Sequence, residues 1–219
     1  MRAYQIALTA LVCFTIAHAA SAADVIGGRT NVALDTAALS AAASLDLSSV
    51  SPGIGAGVLP GSVAFPINPR DAATLPTTFS YTAGDFPGGP FSGTIEHTGS
   101  VFFNSDAVEV GNFTIGFDGA RATGGASGFF VESTTGIAAI LFDTAVVALD
   151  RQDEGGLDLT VDLLVSPEFA TFLTDNSLAS TDLTGVDVGD ARIQAAVPEP
   201  SAIALALLGG FAWVGRRRV

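Results

Sequence analysis

The sequence has no lysine, and it has only one cysteine, one methionine and one tryptophan in 219 residues. The absence of lysine excludes Schiff-base chemistry and lysine nucleophiles. Cys13 lies inside an N-terminal apolar run. If that run is removed, the rest of the chain has no disulfide, no thiolate metal site and no cysteine nucleophile. Positive charge is scarce as well, because nine arginines face 22 acids for a net charge of −13. Arg2 and Arg216, Arg217 and Arg218 stand at the two ends, so the stretch from Asp24 to Glu199 carries all 22 acids against five arginines. Such a stretch repels polyanions, which excludes nucleic acid as a partner. With 48% hydrophobic residues the chain is too apolar to be disordered and long enough to bury a core.

The two ends read as export signals. Met1 and Arg2 form a short positive region, Ile6 to Ala17 is an uncharged apolar run of 12 residues, and small residues follow from Ala19 to Ala23. This is the layout of a secretory signal peptide. The run is shorter than the roughly 20 residues a permanent span needs. Cleavage is expected after Ala22, where Ala20 and Ala22 present small side chains to the peptidase, with Ala17-His18-Ala19 as the alternative site. At the other end Val197-Pro198-Glu199-Pro200 precedes an uncharged run of 14 residues, Ala202 to Gly215, and then Arg216-Arg217-Arg218. As a helix that run rises only about 21 Å. The arginines behind it favour a membrane segment, since stop-transfer flanks are rich in basic residues, and their long stems snorkel to lengthen the effective span. The expected organisation is a signal peptide at 1–22, an exported acidic β-rich domain at 23–196 and a sorting segment at 197–219.

The order of Val197-Pro198-Glu199-Pro200, an apolar helix containing Leu207-Leu208-Gly209-Gly210 and a terminal arginine cluster resembles the PEP-CTERM sorting signal of exported bacterial proteins. The resemblance implies handling by signal peptidase and then by an integral-membrane exosortase, a cysteine protease-like transpeptidase that processes the chain near Pro198, Glu199 and Pro200. It implies a transient anchor at 202–215 in the inner membrane and stop-transfer charges at Arg216 to Arg218. It also implies a Gram-negative-type envelope, release to the cell surface or extracellular matrix, and an association with extracellular polysaccharide or biofilm. Each proline disfavours helix in the residue before it, which leaves the recognised segment extended.

Between the signals, period-two alternation marks half-buried strands. Val63, Phe65 and Ile67 alternate, as do Phe79 and Tyr81, and Phe113, Ile115 and Phe117. Ile95, His97, Val101 and Phe103 share one parity from Ser92 to Asn104, and Leu157, Leu159, Val161, Leu163 and Val165 give the clearest run. Gly and Pro clusters at 53–61, 84–90, 124–125 and 155–156 separate them. The expected fold is mainly β, an antiparallel sandwich or barrel-like domain with one or two short helices. One helix is expected over Leu34 to Leu45, with Leu34, Ala37, Ala38, Ala41, Ala42 and Leu45 at helical spacing. The other starts at Ser166 as N-cap with Pro167 at the first position and runs to Leu173. Phe65-Pro66-Ile67, Gly93 to Gly99 and Asn112 to Ile115 are similar to β-rich modules of bacterial surface proteins, and no activity follows from that likeness.

Catalytic residue types are sparse. Once the signal is removed His97 is the only histidine, no G-x-S-x-G elbow is present, and a histidine among Ile95, Val101 and Phe103 reads as a satisfied ring in or beside a sheet. A haem or metal site on His97 with Tyr81 lacks the further ligands such sites use. Carboxylates remain: Asp150, Asp153, Glu154 and Asp158 form one turn cluster, and Asp182, Asp187 and Asp190 another. Either could converge on calcium, but neither matches the EF-hand loop pattern, and aspartate is an ordinary turn residue. No other cofactor is called for. Sugar platforms use aromatic rings, yet Trp213 lies in the apolar C-terminal run and Tyr81 is the only tyrosine of 23–196. The expectation is a non-enzymatic surface or matrix protein. The alternative is a carboxylate-dependent, calcium-assisted domain that binds or hydrolyses polysaccharide.

Overall fold

The computed structural model describes residues 22–198. Residues 1–21 of the expected signal peptide, Ala20 among them, the motif residues Glu199 and Pro200, the apolar run 202–215 and Arg216, Arg217 and Arg218 lie outside the described residues. In chain order the elements are β1 (Ala22–Asp24), β2 (Gly27–Leu34), α1 (Thr36–Ala43), β3 (Leu47–Val50), β4 (Gly55–Ala56), β5 (Val63–Pro66) and β6 (Ser80–Thr82). Then follow β7 (Phe91–Ser92), β8 (Ile95–Glu96), β9 (Ser100–Phe103), β10 (Val108–Phe117), β11 (Phe129–Gly136), β12 (Ala139–Asp153), β13 (Gly156–Val165), α2 (Pro167–Asp175) and β14 (Asp187–Ala196).

The long strands pair antiparallel in the order β10, β11, β12, β13, β14, β2, β5. The sheet then curls until its ends meet. Ile67, just past β5, forms a bridge with His97, Asn68 N–H donates to the Glu96 carbonyl at 2.7 Å, and β8 pairs with β10 through Ile95 to Ile115. Eight segments thus close a barrel, a strand number whose interior side chains nearly fill or which admits one small ligand. The seam between β5 and β8 is its thinnest joint, whereas β13 is hydrogen-bonded along its length to both β12 and β14. A second sheet of β1, β6 and β7 lies at the end of β12, where the Gly84 N–H donates to the Gln152 carbonyl and the Tyr81 hydroxyl to the Asp153 carbonyl. The fold is therefore mainly β and barrel-like.

The clearest alternation in the sequence forms the clearest strand. Leu157, Leu159, Val161, Leu163 and Val165 of β13 are all buried and the residues between them are half-buried. Each such side chain removed from water contributes on the order of 1.5–3 kcal/mol. The stretch of one parity from Ser92 to Asn104 is divided among three short strands, β7, β8 and β9. Gly93 (φ +85°) and Gly99 (φ +121°) break it, and a Cβ on Gly93 would lie 2.5 Å from the Thr78 carbonyl oxygen. Parity survives the breaks, since Ile95, His97, Val101 and Phe103 are all buried.

Both helices form. α2 begins as its cap dictates: Ser166 Oγ accepts the Phe169 N–H at 3.0 Å and donates to the Ile140 carbonyl at 2.6 Å. Phe169, Ala170 and Leu173 face the core. α1 is shorter than the expected Leu34 to Leu45 and uses a different face, because its buried residues are Leu39 and Ala43 while Ala37, Ala41 and Ala42 are exposed. In an alanine-rich run, alanine spacing carries little burial preference, and the one leucine inside the helix sets the phase.

Candidate functional site

His97 sits at the barrel seam and is 2% exposed. Its Nδ1 lies 3.1 Å from the Phe113 carbonyl, which can only accept, so Nδ1 carries the proton and donates. Nε2 is then the acceptor for the Thr30 hydroxyl at 2.8 Å. Burial removes the solvation a charged ring would need and lowers its pKa to about 4, although the Phe113 bond partly opposes this. The ring is neutral at neutral pH with both nitrogens occupied, which leaves no lone pair for a metal or for proton transfer. Tyr81 is similarly committed: its hydroxyl donates to the Asp153 carbonyl at 2.8 Å, and burial with the nearby Asp153 pushes its pKa up to about 12.

The barrel interior holds a cavity of about 80 Å³ walled by apolar side chains of β2, β10, β11, β13 and β14, with Thr30, His97 and Thr144 as its only polar lining. Thr144 Oγ1 donates to the Phe129 carbonyl at 3.1 Å, so these polar groups are satisfied by the protein itself. At one end of the barrel lies a second hollow of about 260 Å³, lined by Phe86, Pro87, Phe91, Phe117, Ser127, Phe129, Val146, Leu149 and Leu159. Phe86, Phe129 and Leu159 line both, so a single layer of side chains divides them. The rings around this mouth pack edge-on or tilted, with Phe91 to Phe117 at 4.9 Å, Phe117 to Phe129 at 5.0 Å and Phe86 to Phe91 at 5.5 Å between centroids. Phe86 is 5% exposed, but Phe117 and Val146 are 44% and 48% exposed at the rim.

The carboxylates singled out from sequence lie where β12 turns into β13. Asp153 accepts from the Gly155 N–H and from Arg151 Nε, both at 2.8 Å, and these contacts hold its pKa below the usual carboxylate range. Asp158 takes a two-pronged contact from Arg192, at 2.8 Å from both Nε and the second nitrogen, and is likewise lowered. Asp150 lies 3.5 Å from the same Arg192. Glu154 takes part in none of these contacts. The structure thus sets three of the four against arginines. Among the described residues no group of three or more His, Cys, Asp or Glu side chains is placed to hold a metal. Of the second cluster, Asp182 caps its own turn through Thr184. Asp187 and Asp190 lie beside Asp162, whose pKa is raised, first by burial and then by those two neighbours.

β14 runs to Ala196, whose carbonyl accepts the Ile26 N–H at 2.9 Å; Val197 is buried and Pro198 is exposed. Ala22, expected at the signal cleavage site, is already paired with Thr82 in the end sheet. Residues 196–218 match the PEP-CTERM protein-sorting motif. The PEP-CTERM segment therefore begins at the last residue of the last strand, and the chain is an exported protein bearing a signal for an exosortase-type system. No curated protein matches the chain. Among solved structures, the crystal structure of the C-terminal domain of HtaA from Corynebacterium glutamicum matches at 14% identity, covering 80% of this chain and 99% of that one, with a TM-score of 0.49. Among the described residues no helix is long and apolar enough to cross a membrane.

Three contributors to the hollows were not legible beforehand. Phe86 lies in a Gly- and Pro-rich stretch that reads as a spacer, yet its ring is buried at the mouth. Thr30 carries no sequence signal for pairing with a residue 67 positions away. Phe91 sits in a strand of only two residues, too short for periodicity to show. Phe117 was readable, as the last member of the Phe113, Ile115, Phe117 alternation.

Proposed function

We propose that this chain is a non-enzymatic β-barrel protein of the cell surface or extracellular matrix, delivered by signal peptidase and an exosortase and associated there with exopolysaccharide. The observation that carries this reading is the abutment of the PEP-CTERM motif on β14. The motif starts at Ala196, where the barrel's hydrogen bonding ends, so processing at Pro198-Glu199-Pro200 removes the anchor and leaves the barrel whole. The absence of catalytic function is supported by the state of the candidate groups. His97 has both nitrogens engaged, and Asp153 and Asp158 are held by arginines and charged. A general acid or base works best with a pKa near the operating pH, and these groups lie away from it. A net acidic barrel repels anionic polymer unless cations bridge the two, so the matrix association is expected to depend on divalent salt.

The test follows the protein in its producing cell. The wild type is expected at the surface or in the medium, with mass spectrometry showing loss of the Ala202 to Val219 segment. A chain with Pro198→Ala, Glu199→Ala and Pro200→Ala together is expected to remain in the inner-membrane fraction with Arg216 to Arg218 attached. Intact wild-type chain in the cytoplasm with both ends retained would sink the export reading. Turnover of any polysaccharide by the released protein would overturn the non-enzymatic part.

A further inference from the structure

We propose that the mouth of the barrel binds a small, neutral, apolar molecule, of one aromatic ring or a short alkyl chain, held between Phe91, Phe117, Val146 and Leu149 with Phe86 at its floor. This goes beyond the export reading and does not depend on it. No charged residue lines the hollow. Its one polar side chain, Ser127, is already occupied, because its Oγ donates to the Thr144 carbonyl at 2.8 Å and accepts from the Phe129 N–H at 3.2 Å. A charged ligand, or one rich in hydrogen-bonding groups, would be stripped of water there without compensation. An apolar one loses nothing and gains aromatic edges and faces, set by the 4.9 and 5.0 Å ring pairs of Phe117 with Phe91 and Phe129.

Size points the same way. A dry engineered cavity of about 150 Å³ holds benzene. The mouth offers about 260 Å³, enough for a ring and a short substituent. The inner cavity of about 80 Å³ is too small to take a ring alone, but it lies directly behind Phe86, Phe129 and Leu159 and can receive the substituent if these side chains shift. A second protein surface fits less well. The hollow is concave and ring-walled, and flat-face pairing would leave its depth unfilled.

The full chain is held in lipid nanodiscs, avoiding detergent that would occupy the hollow, and photolabelled with 3-trifluoromethyl-3-phenyldiazirine, a neutral single-ring probe. The expected result, read by peptide mapping so that labelling of 202–215 from the bilayer is set apart, is saturable labelling of residues 86–91, 117 and 146–149, competed by toluene. Val146→Glu and Phe117→Ser change half-exposed rim residues, and each is expected to weaken labelling at least about tenfold. Leu47→Glu, an equally exposed change on β3, is expected to leave it unaltered. Labelling of residues 86–91, 117 and 146–149 that is absent, non-saturable, or indifferent to Val146→Glu and Phe117→Ser with the fold intact by circular dichroism, overturns the proposal. Finding two chains per disc, reduced to one by Val146→Glu, assigns the hollow to a second copy and overturns it as well.

Discussion

Acid should weaken this barrel through His97 once the pH falls below about 6.5. In the unfolded chain the imidazole takes up a proton near its ordinary pKa of 6.5, whereas in the fold burial lowers that value to about 4. Between these values the unfolded state binds one more proton than the folded state, so stability is full above about pH 6.5 and falls with pH at up to about 1.4 kcal/mol per unit. Down to pH 4.5 the loss amounts to about 2 to 3 kcal/mol, a large fraction of a typical domain's margin. The perturbation that isolates it is His97→Gln. This variant is expected to be less stable at neutral pH by about 1 to 2 kcal/mol, because the seam loses its paired ring and Thr30 its acceptor. It is also expected to lose the slope between pH 6.5 and 4.5. Urea unfolding followed by far-UV circular dichroism across that window measures both. Equal slopes in the wild type and in His97→Gln would refute the assignment of the acid sensitivity to this ring.

Other substitutions test separate joints. Arg121 holds Asp143 and Glu168 together, with contacts of 2.6 and 2.7 Å, and draws the Glu168 carboxyl down to about 2. Arg121→Met is expected to cost about 1 to 2 kcal/mol in urea unfolding, since the pair is only partly screened by water. The contribution of Glu168 should be present above pH 4.5 and fade as pH falls toward 2, on the opposite side of the His97 window. Ser166→Ala removes the cap of α2 and the bond to Ile140, and is expected to cost about 1 to 2 kcal/mol, read as a lower denaturation midpoint with an unchanged m-value. Gly93→Ala places a Cβ against the Thr78 carbonyl at a positive φ, and a loss of about 2 kcal/mol or more is expected by the same assay.

Where sequence and structure agree, the cause is a local pattern with a single physical meaning. Alternation in Leu157 to Val165 could only be a strand with one dry face, and Ser166-Pro167-Glu168 could only be a helix start. The sorting segment was legible for a similar reason, since its order of extended motif, apolar run and arginines is itself the signal. Closure of the barrel was not legible, because it depends on a short seam between Ile67 and His97, thirty residues apart in the chain, with β6 and β7 between them. The hollow at the mouth was not legible either. Phenylalanines that pack a core and phenylalanines that wall a pocket are the same in sequence, and only the position of Phe86 and Phe91 beside Phe117 tells them apart. The acidic turns were ambiguous in the same way: spacing alone allows Asp150, Asp153 and Asp158 to converge, and it does not show that Arg151 and Arg192, on the same and neighbouring strands, contact them.

The exit of the chain from β14 also decides how the barrel bears a load. β14 is not an edge: it is flanked by β13 and β2, and Gly189 to Ala196 match eight successive residues of β2. Under the proposed anchoring beyond residue 198, a pull on the barrel runs along the axis of β14. Both flanking ladders are then sheared at once, instead of being unzipped one bond at a time. Shear shares the force over many hydrogen bonds, so the tethered protein is expected to resist drag well before its anchor is removed. Single-molecule pulling through residue 198 should show a higher rupture force than pulling through Val50, at the end of the edge strand β3.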